Sequence, residues 1–203
     1  MCIVITLGEV ALKIFRGLSL LTSLYLFISN TAYAVSTATC YDTDTIVMLH
    51  MNGSDGSTTF TDNATCVGCP ATWTASGTGQ IDTAQSKFDG ASYLSDGNGD
   101  DVTTADQTYF DIDLIFTIDY WIRFNLVATT SPTYQASTCG GGAAICVTTR
   151  YNTATSNLEI NLNNSTAVGT FSWTPSTNTW YHVAITIDSS NDIRAFIDGT
   201  QIG

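Results

Sequence analysis

Apolar and polar side chains alternate most cleanly over residues 115–124 (IFTIDYWIRF). Phe116, Ile118, Tyr120, Ile122 and Phe124 fall on one side, and Thr117, Asp119, Trp121 and Arg123 on the other. A period of two sustained this long predicts a half-buried β-strand. Leu158, Ile160 and Leu162 alternate in the same way with Asn157, Glu159, Asn161 and Asn163. Tyr181, Val183, Ile185 and Ile187 share a side opposite Trp180, His182, Ala184 and Thr186, and Ile193, Ala195 and Ile197 repeat the pattern after a polar turn. Further strands are expected at 45–51, 71–75 and 91–95. No long segment carries a 3.6-residue apolar period, so helix is expected to be nearly absent. Many short strands with Gly, Asn, Asp and Ser between them, each with one apolar face, predict an all-β fold of two packed antiparallel sheets.

Asp198-Gly199 is a hairpin signal, because both central residues of a type I′ turn need positive φ. Only residues 200–203 follow it, fewer than a usual strand of five or six. The pattern therefore stops in mid-hairpin, and one or more C-terminal strands of the sandwich are expected to be missing.

The first 34 residues have a different character. Lys13 and Arg16 precede the apolar run GLSLLTSLYLFI at 17–28, and SNTAYA then ends on the small-x-small triplet Ala32-Tyr33-Ala34. This is the order of a cleavable export signal, with cleavage expected after Ala34. The run is shorter than the roughly 20 residues of a spanning helix, so no membrane insertion is expected after cleavage. The expected layout is a signal peptide at 1–34, a short linker at 35–44 and one sandwich domain at 45–203, secreted or displayed at the cell surface.

Charge narrows the partners. The chain has 18 acidic against 6 basic side chains. Removing the leader takes away Glu9, Lys13 and Arg16. Such a surface repels phosphate, so neither nucleic acid nor an anionic membrane is an expected partner. An oxidising compartment makes disulfides the default for Cys40, Cys66, Cys69, Cys139 and Cys146. Cys139 and Cys146 flank a glycine-rich loop and can bridge locally. Cys66 and Cys69 can close a tight loop, or either can reach Cys40. Only His50 and His182 are available to complete a zinc site, which argues against zinc.

Five stretches in order resemble the laminin-G-like, concanavalin A-like jelly-roll domains of secreted bacterial and phage-borne proteins. They are TIVMLHMNGSDGSTTFTD (45–62), AQSKFDGASYLSDGNGD (84–100), FTIDYWIRF (116–124), FSWTPSTNTWYHVAITID (171–188) and RAFIDGTQIG (194–203). The resemblance implies an antiparallel two-sheet jelly-roll sandwich, often with a structural calcium ion, that binds carbohydrate or a protein partner. It further implies Asn52 and Asp62 as calcium ligands. The CVGC insertion and residues 128–149 have no counterpart in the family pattern. The fold alone assigns no role, since it hosts lectins, hydrolases and spacers.

The residues themselves weigh against catalysis. Glycoside hydrolysis needs two facing carboxyl groups. Beyond the leader the only glutamate is Glu159, with Asn157 and Asn161 beside it on its strand. Asp111 and Asp113 precede a strand and read as a solvated turn. No Ser–His–Asp arrangement is recognisable, and both histidines read as structural. Asp96, Asn98 and Asp100 alternate oxygen donors like the start of an EF-hand loop, but Gln107 stands where the twelfth-position acid belongs. A hairpin turn is the favoured reading there. Trp121 and Trp180 lie opposite the apolar faces of their strands and are the candidate sugar-stacking residues, although packing beneath a loop competes with that role. Sequons at Asn52, Asn63, Asn163 and Asn164 matter only in a glycosylating host. The expected role is a non-catalytic recognition or adhesion module for glycan or extracellular protein. The alternatives are a structural spacer of a surface, fibre or virion assembly and, less favoured, a secreted polysaccharide-active enzyme.

Overall fold

The computed structural model describes residues 3–7, 44–66, 68–105, 107–110, 115–127, 134–138, 147–162 and 167–203. The expected cleavage point at Ala34, the linker up to Thr43, Cys40, Cys139, Cys146, Asp111, Asp113, Asn163 and Asn164 lie outside the described residues. In chain order the strands are β1 (Ile3–Leu7), β2 (Thr45–Leu49), β3 (Thr59–Phe60), β4 (Trp73–Ala75), β5 (Gln80–Asp82), β6 (Ser92–Leu94), β7 (Val102–Thr103) and β8 (Phe116–Arg123). They continue as β9 (Tyr134–Thr138), β10 (Val147–Asn152), β11 (Asn157–Leu162), β12 (Ala167–Ser172), β13 (Trp180–Ile187), β14 (Ile193–Ile197) and β15 (Thr200–Gln201). A single 3-10 turn at Thr108–Phe110 is the only helical element among the described residues.

Two antiparallel sheets carry the architecture, as the alternation predicts. The larger has the order β15-β14-β13-β8-β1-β2 and the smaller β12-β11-β10-β9. Two minor sheets, β3-β4-β7 and β5-β6, accompany them. The apolar sides of β8, β13 and β14 form one wall of the core through Phe116, Ile118, Tyr120, Val183, Ile185, Ile187, Ala195 and Ile197. Rings link the two large sheets. Phe124, at the end of β8, meets Tyr151 of β10 at 5.5 Å and Trp173, just after β12, at 5.7 Å. Trp173 also meets Tyr181 of β13 edge-on at 5.3 Å. Edge-to-face contact suits the ring quadrupoles, and each such pair adds about 0.5–1.5 kcal/mol beyond its area burial.

The expected turn at 198–199 is present. Ile197 faces Thr200 across a two-residue loop, and Asp198 and Gly199 have φ of 49° and 77°. Two expectations are corrected. All five residues of β2 are buried, and in β11 Glu159 and Asn161 are buried along with Leu158 and Ile160, so these strands are covered on both faces. The 96–100 loop is not a hairpin, because β6 pairs with β5 while β7 pairs with β4, and the loop connects two sheets. Of the pairings open to them, Cys66 and Cys69 adopt the local one and bond to each other, closing the tight loop. Ile3–Leu7, within the segment expected to be a leader, forms an antiparallel strand between β2 and β8.

Candidate ligand-binding face

The polar side of β8 meets the polar side of β13 in register. Arg123 lies opposite Trp180, Trp121 opposite His182, Asp119 opposite Ala184 and Thr117 opposite Thr186. Strand pleating explains the arrangement: Ile118, Tyr120, Val183 and Ile185 between these positions are buried in the core, with Ile122 and Tyr181 packed against it, so this set faces away from it. All eight side chains are half-buried, which leaves a row of aromatic, cationic and acidic groups within reach of water.

Trp121 is the centre of the row. Its ring stacks on the His182 imidazole, with centroids 5.2 Å apart and planes 29° from parallel. His182 Nε2 lies 3.6 Å from Asp119 Oδ2. The His182 backbone is held by Asp198, whose Oδ1 accepts its N–H at 2.9 Å and whose own N–H donates to the His182 carbonyl at 2.9 Å. A turn from the β5–β6 connection closes over the indole. Lys87 Nζ sits 4.1 Å from the Trp121 ring centroid, and the Phe88 ring meets Trp121 edge-on at 5.5 Å. Asp89 and Gly90 follow with φ of 57° and 77°, the paired left-handed conformations that turn the chain back toward β6. Asp89 Oδ2 in turn lies 3.8 Å from His50 Nδ1. Phe88 remains 48% exposed.

Arg123 is fixed at the other end of the row. Its guanidinium donates to the Asn125 side-chain oxygen and, at 2.7 Å, to Asn178 Oδ1. Asn178 adopts φ of 60° and donates its N–H to the Phe124 carbonyl at 2.7 Å, which sets it against the strand end. Beside Arg123, Trp180 makes no ring contact with another aromatic among the described residues. Both tryptophans singled out from the alternation therefore share one face, but in different states. Trp121 is partly covered by Lys87 and Phe88, whereas Trp180 is not. Sequence reasoning missed Lys87, Phe88, Asp119 and Arg123. The last two stand in the same alternating run as Trp121, a legible signal, whereas Lys87 and Phe88 arrive through a tertiary contact.

The other two tryptophans are structural. Trp173 belongs to the core, and Trp73 donates its indole N–H to Asp62 Oδ2 at 3.0 Å. The same buried carboxylate accepts from Met48 N–H and Ala64 N–H, both at 2.9 Å on Oδ1, and from Ala71 N–H at 3.4 Å. Asp62 thus gathers four N–H donors, which stitch β2, the disulfide loop and β4 together. Calcium requires six to eight oxygens. Donors rather than further oxygens face Asp62, and Asn52 is exposed, so the residues present do not fit a calcium ion there. The 96–100 loop satisfies itself in a similar way. Asp96 Oδ1 accepts Asn98 N–H at 2.8 Å, while Asp100 accepts Asp96 N–H and Thr78 N–H, each at 2.7 Å. These bonds, that from Asp96 foremost, hold the Asp100 carboxyl below its usual range. A Cβ on Gly77 would collide with Asp100, so glycine is required at that contact. No group of three His, Cys, Asp or Glu side chains suited to a metal occurs among the described residues.

Glu159 lies on the other large sheet. Its buried carboxylate accepts from Arg150 Nε at 2.7 Å, Asn152 Nδ2 at 2.9 Å and Thr155 Oγ1 at 3.3 Å. Burial pushes its pKa up, but these bonds and the Arg150 charge together bring it below the usual value. A general acid needs the opposite shift.

A laminin-G-type family model, described as the concanavalin A-like lectin/glucanases superfamily, matches residues 96–203. The matched stretch is more than half of the chain and carries Asp119, Trp121, Arg123, Trp180 and His182; Asn52, Asp62, Lys87 and Phe88 precede it. No curated protein and no solved structure matches the chain.

Proposed function

The chain belongs to the concanavalin A-like lectin/glucanases superfamily, and from that premise we propose that it is an exported, non-catalytic recognition module for glycans, with its ligand face on β8 and β13. The observation that carries this reading is the row of Trp121, His182, Trp180 and Arg123, turned away from the core and kept within reach of water. Pyranose rings present C–H faces that stack on aromatics, and their hydroxyls need convergent donors and acceptors. Trp180 supplies a ring, Arg123 donors, and Asp119 with His182 acceptor and donor capacity. The leader pattern and the Cys66–Cys69 bond both suit an oxidising, exported setting.

The test is a glycan array probed with the 203-residue chain, followed by titration of any ligand found. Trp180→Ala and Arg123→Ala are expected to weaken binding at least about tenfold while leaving the melting temperature within a few degrees. N-terminal sequencing of the protein recovered from an exporting host is expected to begin at Val35. Absence of binding to every glycan would instead favour a structural spacer. One observation supports that second reading: Lys87 and Phe88 already occupy part of the face.

A further inference from the structure

Lys87 places its ammonium over an aromatic ring although carboxylates are abundant in this chain. Acidic side chains number 18 against 6 basic ones. Arg150 pairs with Glu159, and Arg194 with Asp188 and Asp192. Lys87 pairs with no carboxylate among the described residues and rests 4.1 Å from the Trp121 centroid. A lysine stem has several rotatable bonds and loses rotamer freedom when its head group is held, so a defined resting place for that head group implies a compensating attraction. The attraction of a cation to an indole face is about 0.5–1 kcal/mol at exposed sites and about 2 kcal/mol when desolvated.

The surroundings complete a site for an ammonium group. Trp121 offers the face, and half-exposed Phe88 stands edge-on to it as a second aromatic wall. Asp119 Oδ2 lies 3.6 Å from Nε2 of His182, which stacks on the same indole, so a carboxylate lies just beyond the ring. A formal charge of -12 on the whole chain further raises the local concentration of a polycation.

We infer that the Trp121 face is an ammonium-binding subsite, occupied in cis by Lys87 and taken by the amino group of an amino-sugar ligand when Lys87 is displaced. The inference rests on the glycan-recognition reading and names its ligand class. A neutral sugar entering at Trp121 forfeits the cation–ring attraction that it displaces. A glucosamine unit carrying a free amine restores it, so the exchange is nearly balanced and the remaining sugar contacts decide in favour of the ligand.

The experiment compares a chitosan oligomer, whose units carry free amines, with the N-acetylated oligomer of the same length and backbone. Each is titrated into the full chain and into its Lys87→Met, Trp121→Ala and Trp121→Phe variants. The native chain is expected to prefer the free-amine oligomer. Lys87→Met keeps the apolar stem but vacates the ring, and is expected to tighten that oligomer by about 2- to 30-fold, the range of a cation–ring contact, without tightening the N-acetylated one. Trp121→Ala is expected to abolish the difference between oligomers. Trp121→Phe, which keeps a ring, is expected to retain part of it should the alanine variant fold poorly. Equal affinity for the two oligomers, or no gain in Lys87→Met, overturns the subsite, even if array glycans still bind through Trp180. Preference for a lysine-rich peptide over the free-amine oligomer overturns the amino-sugar assignment. If neither oligomer nor any array glycan binds, the recognition reading itself fails.

Discussion

Arg150 and Glu159 face each other across β10 and β11, with Nη2 and Oε2 2.6 Å apart. Nε donates to the same oxygen, so two donors of one guanidinium converge on a carboxylate that is almost wholly enclosed. The pair closes the polar side of β11, where the alternation alone suggests open solvent. Glu159→Gln keeps the shape and removes the charge. Bonds to charged groups contribute about 1.5–3 kcal/mol, and the partly exposed Arg150 end reduces that, so a loss of about 1–2 kcal/mol in urea unfolding is expected. The effect is expected on stability alone. Glycan turnover that is present in the native chain and lost in this variant would restore the enzymatic alternative.

The same carboxylate sets the acid limb of stability. Its folded value lies below the ordinary 4.5, so its contribution is complete above that pH and is lost as pH falls through the folded value. Asp188, held below 3.8 chiefly by the Arg194 hydrogen bond, and Asp100, held down by backbone N–H groups, act in the same direction. The urea midpoint is expected to drop as pH is lowered below 4.5, and to drop less in Glu159→Gln. A midpoint that rises on acidification contradicts this.

Tyr120 sets the alkaline limb. Burial against the facing sheet pushes its hydroxyl from 10.0 up to about 12. A raised folded value favours the neutral form, so this contribution is full below pH 10 and is lost as pH climbs toward 12. Tyr93, raised to about 12 by burial and then by Asp100, Asp101 and Asp96, adds to it. Circular dichroism against pH is expected to show unfolding across that interval, shifted upward in Tyr120→Phe. An unchanged profile in the variant assigns the limb to other groups.

What was legible in the sequence is whatever a local period encodes. Phe116 through Phe124 and Tyr181 through Ile187 announce a buried side and a wet side, and the sheets use them that way. At Asp198-Gly199 the turn chemistry also reads correctly because two residues suffice to define it. Asp62 was not legible, since an aspartate after a short strand looks the same whether its oxygens meet a cation or four N–H groups. Only the approach of Met48, Ala71 and Trp73 decides between them. Lys87 and Trp121 are 34 positions apart, and no pattern in either neighbourhood encodes their contact.

Asp62 therefore predicts the response to chelation. Its hydrogen bonds, not an ion, join β2 to the disulfide loop and β4. Asp62→Ala leaves several buried N–H groups without an acceptor, each costing about 1–3 kcal/mol, and a loss of at least about 3 kcal/mol is expected. The native melting temperature is expected to be the same with calcium and with chelator. A clear drop on chelation would return calcium to this protein.

The place of β1 sets leader cleavage against sheet integrity. Ile5 lies opposite Val47 on one side and Ile118 on the other, so removing residues 1–34 separates β2 from β8 by two strand spacings, about 9.5 Å. β2 would not simply leave with β1, because Asp62 Oδ1 accepts the Met48 N–H and the Met48 carbonyl accepts the Asn63 N–H. Two fixed strand edges would then face an open slot above buried Val47 and Ile118. Such edges invite pairing with other chains. A chain comprising residues 35–203 is expected to melt lower than the 203-residue chain, to exchange amide hydrogens faster at Val47 and Ile118, and to self-associate with rising concentration. Equal melting and equal protection in the two would mean that the slot is filled by another strand once the leader is gone.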